Sequence, residues 1–526
     1  MTARLQAAEK LMNVIAEPTK LPLVYVRGFA GDTSGINSVV EDPFYGFNEG
    51  STHVRVGADN QPSFHQFESP LLRLHLDEGY KILVEGGQGS YLQNHDRIPP
   101  DSVWIHRFYD PSATTWSGEA SEFRLEDAAS DLLRLIDTLK AKSGAPRVHL
   151  VAHSMGGLIC RCLVQKVLPD LGRDPADCVD KLFTYGTPHG GIAFDVGFGL
   201  LEKVRDAVGI NGADIFGPRR MYEYLTPAAD TQPDGPPDSW NAREMPDGSG
   251  SFPKDRVFCL VGTNPHDYEV AHGLSAATVG ARSDGLVQIE NARVPGAHTA
   301  FVHRSHSGRY GLVNSEEGYQ NLRRFLFGDQ KVEASLTGHR LPPAEDGVAW
   351  QAEVRLSVRG LPIVMHERLA SHWCPIQLPG QPSQASEQEA AGEDSDGAVA
   401  LTTAFLGSAL ARPSGSPAMR YALHLRILTI RERRGILLFN DHLEQAADFD
   451  DILIVDIGTR ESGPGIWAAW NSTIPGAIRD LDLSGDPLSD EDPRGGMWIA
   501  HIPVPQSAWP ILGEGANVRL SVSPWS

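Results

Sequence analysis

A serine stands between a strand pattern and a helix pattern in RVHLVAHSMGGLICRCLVQKV, residues 147–167. A short apolar run rich in β-branched residues precedes it, and apolar residues at helical spacing follow it. Ser154 occupies the point of the turn, and the residues two positions away on each side are the small Ala152 and Gly156. A serine in such a tight turn adopts a strained backbone and presents its hydroxyl as a nucleophile for acyl transfer. Because the short pattern also occurs in ordinary surface turns, the neighbouring elements have to support this interpretation.

The loop after an upstream strand offers a place for an oxyanion hole. Attack on an acyl carbonyl creates an oxyanion, and each backbone N–H group aimed at it raises the rate by roughly a hundred- to a thousandfold. In LPLVYVRGFAG, residues 21–31, an apolar strand enters a glycine-rich loop, where Gly28 lets the backbone turn without a Cβ clash. We predict that the N–H groups of Phe29 and Met155 form the oxyanion hole.

A second loop makes the pattern specific. KLFTYGTPHGG, residues 181–191, reads as the next strand followed by a glycine-rich turn. The Ala-His-Ser-Met-Gly-Gly motif followed by Gly-Thr-Pro-His-Gly resembles the lipases and esterases of the α/β-hydrolase superfamily, bacterial triacylglycerol lipases in particular. Many of these carry Gly where this chain has Ala152. The resemblance covers about residues 20–328 and implies a mostly parallel sheet flanked by helices, with a Ser-His-Asp triad that needs no cofactor.

The resemblance also implies that the triad residues follow in the order serine, acid, histidine. The strand pattern at residues 256–261 precedes a loop that ends in Ser-Asp-Gly-Leu-Val, similar to the acid-bearing segment of bacterial lipases. Asp284 lies in that segment and is our choice for the acid. Asp267 lies on the same loop and is the alternative.

The helix pattern near residue 314 favours one histidine as the general base. Asn314 and Glu317 resemble a capping box, and Gly328 is a plausible residue to follow the helix end. A last strand, a histidine on the following loop and then a helix is the superfamily's ending, so we predict that His306 is the base. The competing candidates are His298 and His303.

Two other histidines flank the proposed chemistry. His153 precedes the serine and His189 lies in the second glycine-rich loop. A histidine beside the serine in sequence is expected to point away from it. We therefore interpret both as supporting groups rather than as the base.

Two insertions could cover the site. The first, residues 192–255, contains an amphipathic pattern at 198–210 that predicts either a mobile lid or a helix packed permanently on the core. The second, residues 32–101, contains a helix pattern at 69–79. Its aromatic residues would either wall an acyl pocket or fill the core; they are Phe44, Tyr45, Phe47, Phe64 and Phe67.

The character of the sequence changes after the predicted catalytic domain, residues 1–328. Residues 329–526 contain short alternating segments separated by Pro and Gly, which predict an antiparallel β-rich domain, most simply a sandwich. Residues 381–397 lack aromatics and predict a flexible loop. No catalytic pattern occurs in this domain. The sequence does not indicate a binding partner for it. Its tryptophans are more typical of a core than of a recognition surface.

Composition restricts the partners. The net charge of −21 argues against nucleic acid and against tight binding to anionic membranes. The five cysteines are odd in number and imply no disulfide framework. We find no nucleotide or metal motif and expect no metal. No signal-peptide or membrane-span pattern occurs, so we expect a cytoplasmic protein, with signal-independent secretion as the alternative.

These patterns favour a serine hydrolase that cleaves carboxylic esters, of the lipase or esterase type, through an acyl-enzyme. Its substrate would be a lipid or acyl-glycerol ester, reached through transient contact with a lipid interface. A phospholipase or an acyltransferase would use the same triad. The alternative from another class is a binding protein that keeps the hydrolase fold without activity.

Overall fold

The computed structural model describes residues 20–28, 51–56, 62–83, 87–108, 124–192, 215–266, 282–309, 311–343, 348–379, 397–410, 418–433, 442–460, 463–476 and 486–526. The chain divides into two compact units. One is Glu17–Tyr319 and the other contains Gln320–Ser526. This division lies inside a helix, whereas the sequence predicts a boundary at residue 328, just after that helix.

The first unit alternates strands and helices. Its strands in chain order are β1 Leu23–Val26, β2 Ser51–Val56, β3 Pro62–Phe67, β4 Lys81–Ile82, β5 Ser102–His106, β6 Val148–His153, β7 Val179–Tyr185, β8 Val257–Gly262 and β9 His298–Val302. Its helices are α1 Pro70–Glu78, α2 Gln88–Asn94, α3 Leu125–Ser143, α4 Met155–Cys162, α5 Leu168–Asp170 and α6 Pro218–Leu225, and α7 Glu316–Phe327 spans the division.

Seven of these strands form one sheet in the order β4-β5-β1-β6-β7-β8-β9. Every neighbouring pair in this sheet is parallel, while β2 and β3 form a separate antiparallel pair. Parallel strands buried on both faces are apolar along most of their length, as the sequence patterns of β1, β6 and β8 show. The predicted α/β-hydrolase architecture of this region is confirmed.

Helices cover both faces of the sheet. Apolar residues of α3, α4 and α6 share a core with one face, to which Val24 and Leu150 belong. On the other face, the Tyr185 hydroxyl donates to the Gly318 carbonyl oxygen of α7 at 3.4 Å. Because residues of a strand point alternately to opposite faces, each strand serves two helical layers at once.

Local signals explain where helices begin and end. The Ser69 hydroxyl accepts a hydrogen bond from the Leu72 N–H at 3.1 Å, and Gly79 closes α1 with a φ of 68°, so the predicted helix at 69–79 matches α1. At α7 the predicted cap is wrong. Ser315, rather than Asn314, caps this helix, because the Ser315 hydroxyl accepts from the Gly318 N–H at 3.0 Å.

The second unit is antiparallel. Its strands are β10 Gln330–Thr337, β11 Val348–Val358, β12 Val364–Arg368, β13 Ile376–Leu378, β14 Val399–Leu406, β15 Ala418–Arg433, β16 His442–Arg460, β17 Gly463–Trp470, β18 Trp498–Pro503 and β19 Asn517–Pro524, with a short helix α8 Trp509–Leu512. One sheet has the order β14-β10-β19-β18, and the other has the order β12-β11-β15-β16-β17 with β13 paired to β11.

The two sheets share one hydrophobic core, as a sandwich does. Leu336 and Leu520 from the first sheet lie in the same buried cluster as Leu356 and Leu425 from the second. The predicted antiparallel β-rich architecture is therefore confirmed. Tryptophans contribute to buried structure here, and the Trp470 indole N–H donates to the Pro503 carbonyl oxygen at 2.8 Å.

Some sequence predictions concern residues that the structure does not describe. The amphipathic pattern at 198–210 and the loop at 381–397, apart from Gly397, lie outside the described residues. Of the aromatic residues in the insertion at 32–101, the side chain of Phe67 is described, and it is buried with its ring 6.0 Å from that of Tyr319. Phe67 therefore fills core rather than a pocket wall.

The cysteines form no disulfides. All five are buried free thiols, namely Cys160, Cys162, Cys178, Cys259 and Cys374.

The helices bear on the expectation that the chain has no membrane span. Within the ranges given above, no helix combines the length and apolar character that crossing a membrane requires.

Candidate active site

The residue at the turn between β6 and α4 is strained. Ser154 has a φ of 53° and a ψ of −127°, and it is one of only two non-glycine residues with positive φ in the described part of the chain. The Ser154 N–H donates to the Tyr185 carbonyl oxygen at 2.9 Å, and its own carbonyl oxygen accepts from the Gly157 N–H at 3.0 Å. Hydrogen bonds on both sides therefore hold the strained turn in place.

Glycines around this turn allow close approach of three elements. A Cβ on Gly156 would lie 2.3 Å from the Val26 carbonyl oxygen, and one on Gly157 would lie 2.1 Å from the Thr187 hydroxyl. A Cβ on Gly28 would lie 2.9 Å from the Ser154 Cβ. Any larger side chain would push α4 away from β1 or from the loop after β7.

The structure brings Ser154, His306 and Asp284 together. The His306 Nε2 atom lies 2.9 Å from the Ser154 Oγ atom, and the His306 Nδ1 atom lies 2.8 Å from the Asp284 Oδ2 atom. All three side chains are buried. Because an ionised carboxylate only accepts, Nδ1 carries the proton when His306 is neutral, which leaves the Nε2 lone pair facing the serine hydroxyl. This is the arrangement of a general base beside a nucleophile.

The acid is fixed by its own loop. The Asp284 Oδ1 atom accepts from the N–H groups of Leu286 at 3.0 Å and Val287 at 2.8 Å, while Oδ2 is left for His306. The two oxygens are thus assigned separate partners. The carboxylate can orient the imidazole without giving up its backbone contacts.

The base is held from its own backbone and from the following helix. The His306 N–H donates to the Asp284 carbonyl oxygen at 2.8 Å, and the Leu312 N–H donates to the Ser305 carbonyl oxygen at 2.9 Å. On the same loop, the Arg304 guanidinium donates to both carboxylate oxygens of Glu317, and each nitrogen–oxygen distance is 3.1 Å. A bidentate pair of this kind ties the histidine loop to α7.

Sequence reasoning missed Gly186, at the carboxyl end of β7. Its φ is 52°, and an added Cβ would lie 2.9 Å from the Asp284 Oδ2 atom and 3.1 Å from the His306 Nδ1 atom. Glycine is therefore needed both for the backbone conformation and for the space that the acid-base pair occupies. The sequence did contain a signal for this residue, because Gly186 directly follows the strand pattern that ends in Thr184 and Tyr185.

His153 contacts the base. Its ring lies 4.9 Å from the His306 ring, and its Nε2 atom is 2.9 Å from the His306 carbonyl oxygen. Burial, followed by the charge of His306, lowers the pKa of His153 to about 3. His153 is therefore neutral across the working range of a histidine base.

The other histidines lie elsewhere. His303 is exposed, with its Nδ1 atom 3.3 Å from the Thr263 hydroxyl, and His298 lies buried at the start of β9, at the opposite end of this strand from the histidine loop. His189 is buried with its Nε2 atom 3.2 Å from the Thr184 hydroxyl, and burial lowers its pKa well below the usual value. The alternative acid, Asp267, lies outside the described residues.

One of the two predicted oxyanion donors can be located. Met155 is the first residue of α4 and directly follows Ser154. Its N–H belongs to the first turn, whose N–H groups have no acceptor within the helix and lie at the positive end of the helix dipole. The other predicted donor, Phe29, lies outside the described residues.

Part of the predicted covering insertion is anchored to α4. Arg161 is fully buried, and its guanidinium donates to the carbonyl oxygens of His189 at 3.0 Å, Ala242 at 2.8 Å and Glu244 at 2.7 Å. The segment around residues 242–244 is thus fixed to the helix that follows the serine.

The described side chains also bear on metal binding. Among them, no cluster of three or more His, Cys, Asp or Glu residues is arranged to hold a metal ion. The acidic groups near residue 490 instead bond within their own segment, where the Asp490 Oδ1 atom accepts from the N–H groups of Asp492 at 3.1 Å and Ile499 at 3.2 Å.

Ser154 follows the central parallel strand β6, while Asp284 and His306 lie on the loops after β8 and β9. The sequence that contains these residues also matches a known family. The model of the Alpha/beta hydrolase family matches residues 67–310, which include all three of these residues. Residues 67–310 are therefore similar to the alpha/beta hydrolase family. This match and the fold together support a hydrolase, as the sequence motifs predict.

Solved structures similar to the chain include two from Bacillus. A lipase of Bacillus licheniformis in mature form has 15% identity and a TM-score of 0.28, with 60% of this chain and 93% of that chain covered. A carboxylesterase of Bacillus subtilis has 13% identity and a TM-score of 0.21, with 62% of this chain and 96% of that chain covered.

Proposed function

We propose that this protein hydrolyses carboxylic esters with Ser154 as nucleophile, His306 as general base and Asp284 as the group that orients the histidine. The observation that carries the proposal is the continuous hydrogen-bonded series from the Asp284 carboxylate through the His306 ring to the Ser154 hydroxyl. A structural role alone would not require a strained serine at the head of a helix.

The geometry supports a two-step reaction. His306 takes the proton from the Ser154 hydroxyl as the oxygen attacks the acyl carbon, and Asp284 stabilises the resulting imidazolium. The Met155 N–H would bind the oxyanion, with Phe29 as the proposed second donor. His306 then gives its proton to the leaving alcohol, and an acyl-enzyme remains on Ser154. Water activated by the same histidine attacks the acyl group and releases the acid.

For the substrate we propose a lipid or acyl-glycerol ester, reached by transient contact with a lipid interface. A net charge of −21 favours uncharged substrates over anionic ones. A phospholipase or an acyltransferase would use the same three residues, and the products distinguish them. Transfer to an added alcohol indicates an acyltransferase, while release of free fatty acid from a neutral glyceride indicates a lipase.

The test is hydrolysis of p-nitrophenyl esters from acetate to palmitate by the wild type and by Ser154→Ala. We expect turnover by the wild type and a loss of several powers of ten in kcat in the variant. Hydrolysis that survives in Ser154→Ala overturns the assignment of the nucleophile. A folded wild type that cleaves no ester of the series overturns the ester-hydrolase proposal and favours a binding protein.

A further inference from the structure

His153 and Ser154 are consecutive residues, and both contact the same histidine. The Ser154 Oγ atom lies 2.9 Å from the His306 Nε2 atom, while the His153 Nε2 atom lies 2.9 Å from the His306 carbonyl oxygen. Ser154 therefore contacts the side chain of His306, and His153 contacts its backbone. These two contacts and the backbone close a ring of interactions around the reacting atoms.

We propose that His153 is a positioning residue that sets the distance between His306 and Ser154. The proposal rests on the proposed function, because it assigns His153 a role in the reaction of that triad. His153 touches neither the nucleophilic oxygen nor the base nitrogen that takes its proton. It acts through the backbone of His306.

The backbone of His306 is satisfied on both sides. Its N–H donates to the Asp284 carbonyl oxygen at 2.8 Å, and its carbonyl oxygen accepts from His153. The first contact fixes the base relative to the acid. The second fixes it relative to the nucleophile, because His153 and Ser154 share a peptide bond.

The protonation of His153 suits this task. A carbonyl oxygen only accepts, so the Nε2 atom of His153 carries the hydrogen and the Nδ1 atom does not. His306 and Asp284 are the titratable groups that act on this ring. A neutral donor can hold the His306 loop without opposing the positive charge that His306 acquires in the reaction.

The imidazole ring of His153 also lies beside the loop after β1. A Cβ on Gly28 would lie 2.9 Å from the His153 Nδ1 atom, so the His153 ring fills the space beside the residue that precedes the predicted oxyanion donor Phe29. His153 is thus placed between the histidine loop and the start of the oxyanion loop.

Two substitutions separate the hydrogen bond from the packing. In His153→Gln the amide nitrogen can occupy the position of Nε2 and keep the donor, whereas in His153→Leu the volume remains and the donor is lost. His153→Asn is the second donor-loss variant, since its shorter amide reaches only the position of Nδ1. His106→Leu is the matched control, because the buried His106 also bonds through Nε2 to a backbone carbonyl oxygen, that of Ala128 at 2.9 Å.

Each variant is assayed for kcat and KM with one p-nitrophenyl ester and for the rate of reaction with a fluorophosphonate. In that reaction the Ser154 oxygen displaces fluoride from phosphorus as His306 accepts the proton, so the rate reports activation of the nucleophile for any natural substrate. Thermal unfolding of each variant shows whether it is folded at the assay temperature.

We expect His153→Leu and His153→Asn to lower kcat and the fluorophosphonate rate by about 10- to 100-fold, with KM nearly unchanged, because small displacements of a catalytic group have effects of this size. His153→Gln should recover most of the rate. His106→Leu should lower the unfolding temperature without lowering kcat.

Equal rates in the wild type and in folded His153→Leu would overturn the positioning role. So would a His153→Gln variant that is as slow as His153→Leu. A wild type that reacts with the fluorophosphonate but cleaves no ester refutes the ester-hydrolase proposal alone, since the variants can still be compared by their labelling rates.

Discussion

Asp284 and His306 are hydrogen-bonded to each other at two points, side chain to side chain and backbone to backbone. The Asp284 Oδ2 atom lies 2.8 Å from the His306 Nδ1 atom, and the His306 N–H donates to the Asp284 carbonyl oxygen at 2.8 Å. The acid and the base therefore form one unit before any substrate binds. A preassembled pair avoids the cost of orienting the imidazole during the reaction.

This pairing predicts the effect of Asp284→Asn. The amide keeps the volume and the backbone contact, but it can donate to the Nδ1 atom of His306 and so favour the wrong tautomer. We expect kcat for ester hydrolysis to fall by roughly 10⁴-fold, with KM little changed. Asp174→Asn is the control, because Asp174 is an exposed residue that caps a short turn. A modest loss shared by both variants would mean that Asp284 is structural.

Gly186→Ala tests the space beside the acid-base pair. The added Cβ would approach the Asp284 Oδ2 atom to 2.9 Å, so the pair must shift and activity should fall by more than tenfold. Gly172→Ala is a matched control. Gly172 also has positive φ, at +66°, but an added Cβ there meets nothing within 4 Å. Both variants should lose about 1 kcal/mol of stability from the backbone conformation, and only Gly186→Ala should lose activity.

The sequence predicts the local turn around Ser154 better than it predicts contacts between distant loops. The strand-turn-helix around Ser154 is local, so its spacing and small residues suffice to predict the strained turn. Gly186 was missed because its role depends on Asp284 and His306, which are distant in sequence and meet only when β7, β8 and β9 align. The same limit explains why the sequence does not predict the partner of His153, which is the backbone of a loop far along the chain.

Arg161→Met tests whether the segment at 242–244 is anchored through α4. The guanidinium bonds to three backbone carbonyl oxygens and to the Gln165 side chain at 2.7 Å. Removing it leaves several buried acceptors without a donor, so we expect a loss of about 3 kcal/mol or more in the free energy of unfolding, measured with urea. Arg134→Met, at an exposed position paired with Asp131, should change this free energy by less than about 0.5 kcal/mol.

Lys181 should make stability depend on pH. It is buried on β7, and burial lowers its pKa from 10.5 to about 7. Between these values the unfolded chain binds more protons at this position than the folded chain does. Stability should therefore rise with pH above about 7, by up to ~1.4 kcal/mol per pH unit from this group. In Lys181→Met this rise should be missing, whereas Lys81→Met, at an exposed position, should retain it.

The change of unfolding free energy with pH is measured by urea unfolding at pH 7.0, 7.5, 8.0 and 8.5. These values lie between the folded and unfolded pKa of Lys181. Lys181→Met should also be more stable than the wild type at the lowest pH, because a desolvated ammonium no longer has to be buried. An unchanged slope in Lys181→Met would show that Lys181 remains charged in the folded protein across this range.

The most direct test of the central claim is to trap the acyl-enzyme. The protein is mixed with a p-nitrophenyl ester and quenched in acid within the first turnovers, and the peptide that contains Ser154 is measured by mass spectrometry. We expect this peptide to carry the acyl mass in the wild type, with formation slowed by several powers of ten in His306→Ala. Acylation of another residue, or hydrolysis with Ser154 unmodified in both proteins, would contradict the account.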